Sequence, residues 1–223
     1  MNVYSTKNMA RISKRGYYAE KISFFINVLS KYKNGNITIL DIGCNDGELT
    51  EKYSNYGKVL GIDINEKGIL ECKRKGLECK KMDVMDLDKK YHNNFDVVIA
   101  GDIIEHVLDT DKFLLNCRDF LKKGGLLLLT TPNVASLGRR IMLIFGKNPF
   151  LEYSLNLPYK DFNVGHIRYY TRGNLEEQLT NCGFKNIHIK GDKINILDWL
   201  VIPNIIAQFL PNVSRNLMVI CEK

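Results

Sequence analysis

Residues 37–42 read ITILDI, an apolar, β-branched run interrupted only near its end by Asp41, which suits a strand buried on both faces. Runs of the same kind recur at 58–63 (KVLGID), 95–100 (FDVVIA) and 126–131 (LLLLTT), and 77–82 reads as a further, short strand. Between them the apolar spacing shifts to the helical period. It does so over 48–54, over 66–75 and over 110–121, where Phe113, Leu114, Cys117, Phe120 and Leu121 share one face. Upstream, Tyr18, Ile22, Phe25, Ile26 and Leu29 mark a helix over 16–32. Gly124, in the break at 122–125, reads as the C-cap of the 110–121 helix. Strands that alternate with helices predict an α/β protein with a parallel, doubly wound sheet. After Asn133 the rhythm breaks. An apolar stretch at 141–145 lies between Arg139, Arg140 and Lys147, and a Pro/Asn-rich loop and GHIRYYT at 165–171 follow. A helix over 172–182, ended by Gly183, and late strands at 184–190 and 217–221 enclose a strongly apolar segment, 194–210, broken by Pro203.

The first strand leads into Gly43, Asn45 and Gly47 at every second position, and a helical pattern resumes at Glu48. Glycines let the backbone come close to a ligand, and the N–H groups of a helix start face it. The dinucleotide fingerprint G-x-G-x-x-G needs a third glycine inside the helix, and none is there. Asn45 is the residue after glycine best suited to positive φ, so a tight turn remains open to this sequence.

Composition changes the picture in two ways. The formal charge is +7, and much of the excess is local: Lys7, Arg11, Lys14, Arg15, Lys21, Lys31 and Lys33 meet only Glu20 in the first 33 residues. Such a surface suits a nucleic acid, an anionic membrane or an acidic substrate, or simply solubility. The six cysteines form no C-x-x-C pair and no Cys/His cluster of zinc spacing. Most fall in strand or helix patterns as small hydrophobes, which points to a reducing compartment. No secretory leader pattern and no apolar run of 18 residues is present, so a cytoplasmic protein without a spanning helix is expected.

ILDIGCNDG, VLGIDIN, KKMDVMDL, FDVVIAGDIIEHV and LKKGGLLLLTTPN together resemble the core of class I S-adenosylmethionine-dependent methyltransferases, in order and spacing. The first is similar to that family's (D/E)-x-G-x-G-x-G motif, with Asn45 in place of the middle glycine. FDVVIAGDIIEHV is similar to the ubiquinone- and menaquinone-biosynthesis type of small-molecule methyltransferase. The resemblance implies a Rossmann-like seven-stranded, mostly parallel sheet with helices on both faces, an antiparallel last strand and cap insertions. One domain over 1–223 is implied: a basic segment and helix at 1–34, a cofactor core at 35–133, and substrate-side insertions at 134–170 and 191–215. It implies S-adenosyl-L-methionine as cofactor. Asp41, Gly43, Cys44, Asn45 and Gly47 would border its methionine part. Asp63, with Ile64, would take the ribose hydroxyls, Asp83 and Val84 the adenine, and Gly101 and Asp102 the floor near the sulfonium.

An acceptor hydroxyl needs a base, and histidine is the usual one. His106 follows the fourth strand at the edge where ligands bind in such sheets, and His166 lies in the insertion expected to cap it; either can serve. Asp102, Glu105 and His106 also have a spacing that could gather a divalent ion from one turn, although no metal site is assigned. The expected reaction is methyl transfer to a small-molecule, sugar or lipid-linked acceptor, mainly on oxygen. A nucleic-acid methyltransferase is the first alternative. It is disfavoured because AGDI stands where amino-group enzymes resemble (D/N)-P-P-(Y/F), and because TTPN has no nucleophilic Cys. A non-catalytic cofactor-binding protein is the second. The apolar segments at 141–145 and 194–210, the latter with Trp199, raise the further expectation of peripheral contact with a membrane.

Overall fold

The computed structural model describes residues 19–32, 36–86, 89–150, 165–197, 200–202 and 204–223. The described chain runs α1 (Ala19–Leu29), β1 (Ile37–Ile42), α2 (Thr50–Tyr53), β2 (Gly57–Asp63), α3 (Glu66–Arg74), β3 (Cys79–Lys81), β4 (Phe95–Gly101), α4 (Thr110–Phe120) and β5 (Leu121–Pro132). It continues through α5 (Leu137–Ile144), α6 (Arg172–Asn181), β6 (Lys185–Gly191), β7 (Ile194–Leu197), β8 (Leu200–Ile202), α7 (Asn204–Ala207) and β9 (Asn216–Glu222). Seven strands form one sheet in the order β3-β2-β1-β4-β5-β9-β6. The pairs from β3 to β5 are parallel, and β9 runs antiparallel to both β5 and β6. This is the Rossmann-like sheet that the sequence resemblance implies.

The strands read as continuous apolar runs, yet their side chains still alternate between two cores. Ile39, Val97, Ile99 and Leu128 pack with Phe24, Phe25, Val28 and Leu29 of α1 and with Tyr53 of α2. Leu40, Ile42, Val98, Ala100, Leu127 and Leu129 face the other way, against Phe113, Leu114 and Cys117 of α4 and Leu175 and Leu179 of α6. A strand covered on both sides has no polar face to show, which is why its sequence carries no alternation.

Two expectations are corrected. The helix expected over 48–54 is only the one turn of α2, because Gly47 at φ +77 is still turning the chain. Gly124 is no helix cap. Leu121 caps α4 and already belongs to β5, and Gly124 (φ +75) lies in a bulge where the register jumps from Phe95↔Leu121 to Val97↔Leu126. The apolar segment 194–210 carries a two-stranded β7–β8 ribbon and α7, outside the main sheet. Trp199 and residues 151–164 lie outside the described residues.

Asn133, fully buried at the exit of β5, ties the late insertion to the core. Its Nδ2 donates to the carbonyls of Pro211 (3.0 Å) and Ser214 (2.9 Å), and its Oδ1 accepts from the Ala135 amide (2.9 Å). Asn133→Ala takes away the side-chain partner of the Ser214 carbonyl and of the Ala135 amide and one of the two donors to the Pro211 carbonyl. It should lower stability by about 2–3 kcal/mol, read as a fall in the urea midpoint at unchanged m-value.

Candidate functional site

β1 and β4 are parallel neighbours whose chains leave in opposite lateral directions, β1 toward β2 and β4 toward β5. A crevice opens at the carboxyl ends of such a pair. Its walls begin at Gly43 on one side and Asp102 on the other. Between Gly43 and Gly47 the backbone takes positive φ three times, at Gly43 (+78), Asn45 (+44) and Gly47 (+77). The Gly43 and Cys44 amides donate to the Ile62 carbonyl, and Gly47 to Cys44, fixing the turn against β2. Gly43 is required by sterics as well, since the Ile103 side chain fills the space a Cβ would need. Ile103 thereby joins the turn to the segment after β4.

Asp63 ends β2 and faces this turn. One carboxylate oxygen accepts from the Asn45 amide at 2.9 Å and the other from the Asn65 amide at 2.7 Å, while Asn65 Nδ2 donates to Asn45 Oδ1 at 3.0 Å. The next residue, Ile64, exposes 60% of its surface beside it. Asp41 is buried under the turn and accepts from Thr50 Oγ1 at 2.6 Å. Cys44 points away from the crevice, into a buried cluster with Ile69, Cys72 and Cys79. Asp83 is exposed and accepts from the Met85 amide at 2.8 Å; Val84 is buried in the core, with its carbonyl held by Asn116 Nδ2.

Across the crevice Asp102 sits at φ +56. Thr130 Oγ1 donates to its Oδ1 at 2.9 Å, and its Oδ2 pairs with Lys21, a lysine only 2% exposed on α1. Sequence reading missed this partner. Its signal was present: Lys21 lies one turn before Phe25 on the apolar stripe of α1, and a lysine on a buried face needs a counter-charge. Gly101 lies beside the Phe25 ring, so α1 lines this floor.

Beyond Asp102 a short 3₁₀ turn, Ile104–His106, presents Glu105 and His106. Glu105 is 1% exposed. Burial, and then the charge of Asp102, hold its carboxyl well above the usual range. Its Oε2 accepts from Thr131 Oγ1 at 3.0 Å; its Oε1 lies 3.9 Å from His166 Nε2 and has no hydrogen-bond partner. The Glu105 carbonyl accepts from the Ile167 and Arg168 amides, which docks the segment bearing His166 onto this turn. The His106 and His166 rings lie 4.8 Å apart, and His106 Nδ1 is 3.2 Å from the Gly165 carbonyl. Both candidate histidines are thus brought together. Glu105, His106 and His166 each offer a ligand atom within 4.8 Å of the others. Asp102 is not in that group, so the Asp102–Glu105–His106 spacing seen in sequence does not become a cluster.

All six cysteines are buried, and the sulfurs of Cys44, Cys72 and Cys79 lie within 4.8 Å of one another.

A family model described as a methyltransferase domain matches residues 14–189. The mitochondrial ubiquinone biosynthesis O-methyltransferase of Homo sapiens is 33% identical over 119 residues, which are 49% of this chain and 32% of that protein. The ubiquinone biosynthesis O-methyltransferase of Pelagibacter ubique is 36% identical over 126 residues, 53% of this chain and 51% of that protein. The chain therefore spans about half or less of these relatives. Among solved structures, a SAM-dependent methyltransferase from Archaeoglobus fulgidus aligns over 98% of this chain and 100% of its own, with a TM-score of 0.67 at 19% identity. One from Thermotoga maritima, titled a possible histamine N-methyltransferase, aligns over 96% of each chain, with a TM-score of 0.63 at 16% identity. At these identities the likeness speaks for the fold.

Burial lifts the Asp41 carboxyl to about 7, the charge of Asp63 adding to it and the Thr50 bond opposing. A carboxyl raised in the folded state keeps a proton that the unfolded chain releases. Stability from this group is therefore full below roughly pH 4 and declines as pH rises toward 7, by on the order of 4 kcal/mol. Asp41→Asn should flatten that part of the pH dependence, leaving the slope of the same sign due to Glu105. Urea midpoints at pH 5 and pH 8 check it, the variant losing less than the wild type between them.

Proposed function

Because the chain belongs to the methyltransferase domain family, as a class I S-adenosylmethionine-dependent member, we propose that it moves a methyl group to an oxygen of a small-molecule acceptor held over the carboxyl edge of the sheet. The observation that carries this reading is the meeting, at one crevice, of a three-fold left-handed turn facing Asp63 with a Glu105–His106–His166 cluster. S-adenosylmethionine supplies a methyl group on a sulfonium that is already a good leaving group. In this reading the Gly43–Gly47 turn lets the ligand approach the backbone, Asp63 accepts from the ribose diol, and exposed Ile64 covers the adenine edge, with Asp83 beyond. Gly101 and the Lys21-braced Asp102 form the floor.

What remains is to place the acceptor in line and to take its proton. His166 is the base in this proposal. Its Nε2 lies beside a buried carboxyl, and a proton gained by the ring draws Glu105 toward its ionised form, so the new charge is met where it arises. A second reading is supported by the same atoms. Glu105 Oε1 is buried without a hydrogen bond, and with two imidazoles within 4.8 Å it fits the donor set of a divalent cation, which would lower the acceptor hydroxyl's pKa. The relatives' names point to a hydroxylated ubiquinone precursor as the acceptor to test. With labelled S-adenosylmethionine, His166→Gln should lower turnover about 10²–10⁴-fold with cofactor affinity nearly unchanged. A larger loss in His106→Gln would exchange the two roles. Activity abolished by a chelator and restored by a divalent salt would favour the cation.

A lipid-borne acceptor is the finer part of the proposal. Among the described residues no helix is long and apolar enough to cross a membrane. Yet Leu143, Ile144 and Phe145 at the end of α5, and Ile206 in α7 with Phe209 and Leu210 after it, are exposed, Ile144 at 78% and Phe209 at 81%. Leu137 and Arg140 of α5 bond the carbonyls of Val213 and Asn212, so the two groups belong to one packed unit. Arg139, Arg140 and Lys147 supply a cationic border. An apolar ridge with cationic flanks can rest in an anionic headgroup layer. The protein should float with anionic vesicles at low salt and release as salt rises, and Phe145→Ser with Phe209→Ser should remain in the soluble fraction. Wild type that does not float at low salt refutes the membrane contact.

A further inference from the structure

An ion pair, Lys21 with Asp102, joins α1 to the end of β4. Its partners are not equally placed. The lysine keeps 2% of its side chain exposed and the aspartate 21%, so a ligand in the crevice meets the carboxylate, with the ammonium behind it. The carboxylate is held in place. The Asp102 amide donates to the Thr130 carbonyl at 2.9 Å, Thr130 Oγ1 donates to Asp102 Oδ1 at 2.9 Å, and the backbone between them sits at φ +56. The lysine is fixed as well, because Phe24, Phe25, Val28 and Leu29 fasten its helix to the sheet. Two apolar side chains hold a helix to a sheet at least as well as a buried ion pair does, so fastening α1 does not account for these charges.

Asp102 also stands at a set distance from Asp63. β1 separates β2 from β4, and neighbouring strands lie about 4.8 Å apart, so the two acids follow strands roughly 10 Å apart. With the ribose diol on Asp63, the parts of S-adenosylmethionine that extend toward β4 are the sulfonium and the amino-acid group. The amino-acid group is kept in S-adenosylhomocysteine, and the sulfonium charge is not. As the acceptor O–CH3 bond forms, the S–CH3 bond breaks, its electron pair stays on sulfur, and the acceptor proton passes to the base. A bare carboxylate beside the sulfonium attracts the very charge that this step removes. Attraction that is strong in the bound cofactor and lost in the transition state slows the transfer.

We propose that Lys21 is a positioning residue that sets the preference between S-adenosylmethionine and S-adenosylhomocysteine, by offsetting the Asp102 charge at the floor of the crevice. The proposal rests on the cofactor reading given above. Lys21 acts through Asp102 and not by touching the ligand. With both charges in place the floor is close to neutral, and the site holds the two forms of the cofactor about alike. Without the lysine the floor is anionic and grips the sulfonium. Without the aspartate the lysine repels it. A residue of α1, 81 positions from Asp102 in the chain, thus decides how firmly the reactive form is held relative to the spent one.

The test is calorimetric titration of the whole chain with S-adenosylmethionine and, separately, with S-adenosylhomocysteine. A pH of about 6 suits it, because burial leaves Asp41 and Glu105 protonated there and the Lys21–Asp102 pair is read alone. The wild type should prefer S-adenosylmethionine by no more than about tenfold. Lys21→Met should raise the ratio of the two affinities toward S-adenosylmethionine at least about fivefold, and Asp102→Asn should lower it by a similar factor. Lys21→Arg should keep the wild-type ratio, and Lys21→Met combined with Asp102→Asn, which removes both charges, should return to it. A merely structural role weakens both ligands together; a ratio unmoved in Lys21→Met and Asp102→Asn overturns the proposal. So does a wild-type preference for S-adenosylmethionine above about tenfold, a comparison that stands where a variant does not fold. Either result leaves the cofactor reading intact. Failure of the wild type to bind both ligands overturns the cofactor reading and this proposal with it.

Discussion

Two parallel strands that part company dictate the rest of this molecule. β1 and β4 lie side by side, but the chain leaves β1 toward one edge of the sheet and β4 toward the other. Nothing can close over the gap between their ends without crossing a connection. The backbone therefore has to fold back tightly on both sides, and it does so with positive φ: Gly43, Asn45 and Gly47 after β1, Asp102 after β4. Asn and Asp are the non-glycine residues that accept this geometry most readily. They carry a polar side chain into a place where glycine would offer none, and both are used. Asn45 meets Asn65, and Asp102 meets Thr130 and Lys21.

The site is an electrostatic balance more than a set of separate groups. Asp102, Glu105 and Lys21 share a space from which water is largely removed. The lysine offsets one carboxylate, and the second is left close to neutrality by burial. Such a pairing leaves no naked charge in the interior beside His166. The segment bearing His166 joins the same turn without drawing on that balance, because the Glu105 backbone carbonyl, not its side chain, receives the Ile167 and Arg168 amides.

Much of this was legible in the amino-acid order. Most strands were, because burial on both faces leaves an apolar run; so were the turn at Gly43–Gly47 and Asp63 at a strand end, and His106 and His166 were each read, as alternatives, toward that edge. The parts that stayed hidden are those fixed by contacts distant in sequence. Lys21 and Asp102 are 81 residues apart. Cys44, Cys72 and Cys79 converge from a turn, a helix end and a strand start, a meeting that no local spacing announces. Gly124 misled because a glycine after a helix reads as a cap, whereas the strand had already begun at Leu121 and needed a bulge to restore its register with β4.

Two neighbouring residues of α1 pull in different directions, Glu20 to Lys193 at 3.3 Å and Lys21 to Asp102. Phe24, Phe25, Val28 and Leu29 hold the same helix to the sheet. Lifting it would strand a buried lysine and a buried carboxylate at once, and would strip four large side chains from the core. α1 is thus a fixed wall and no door.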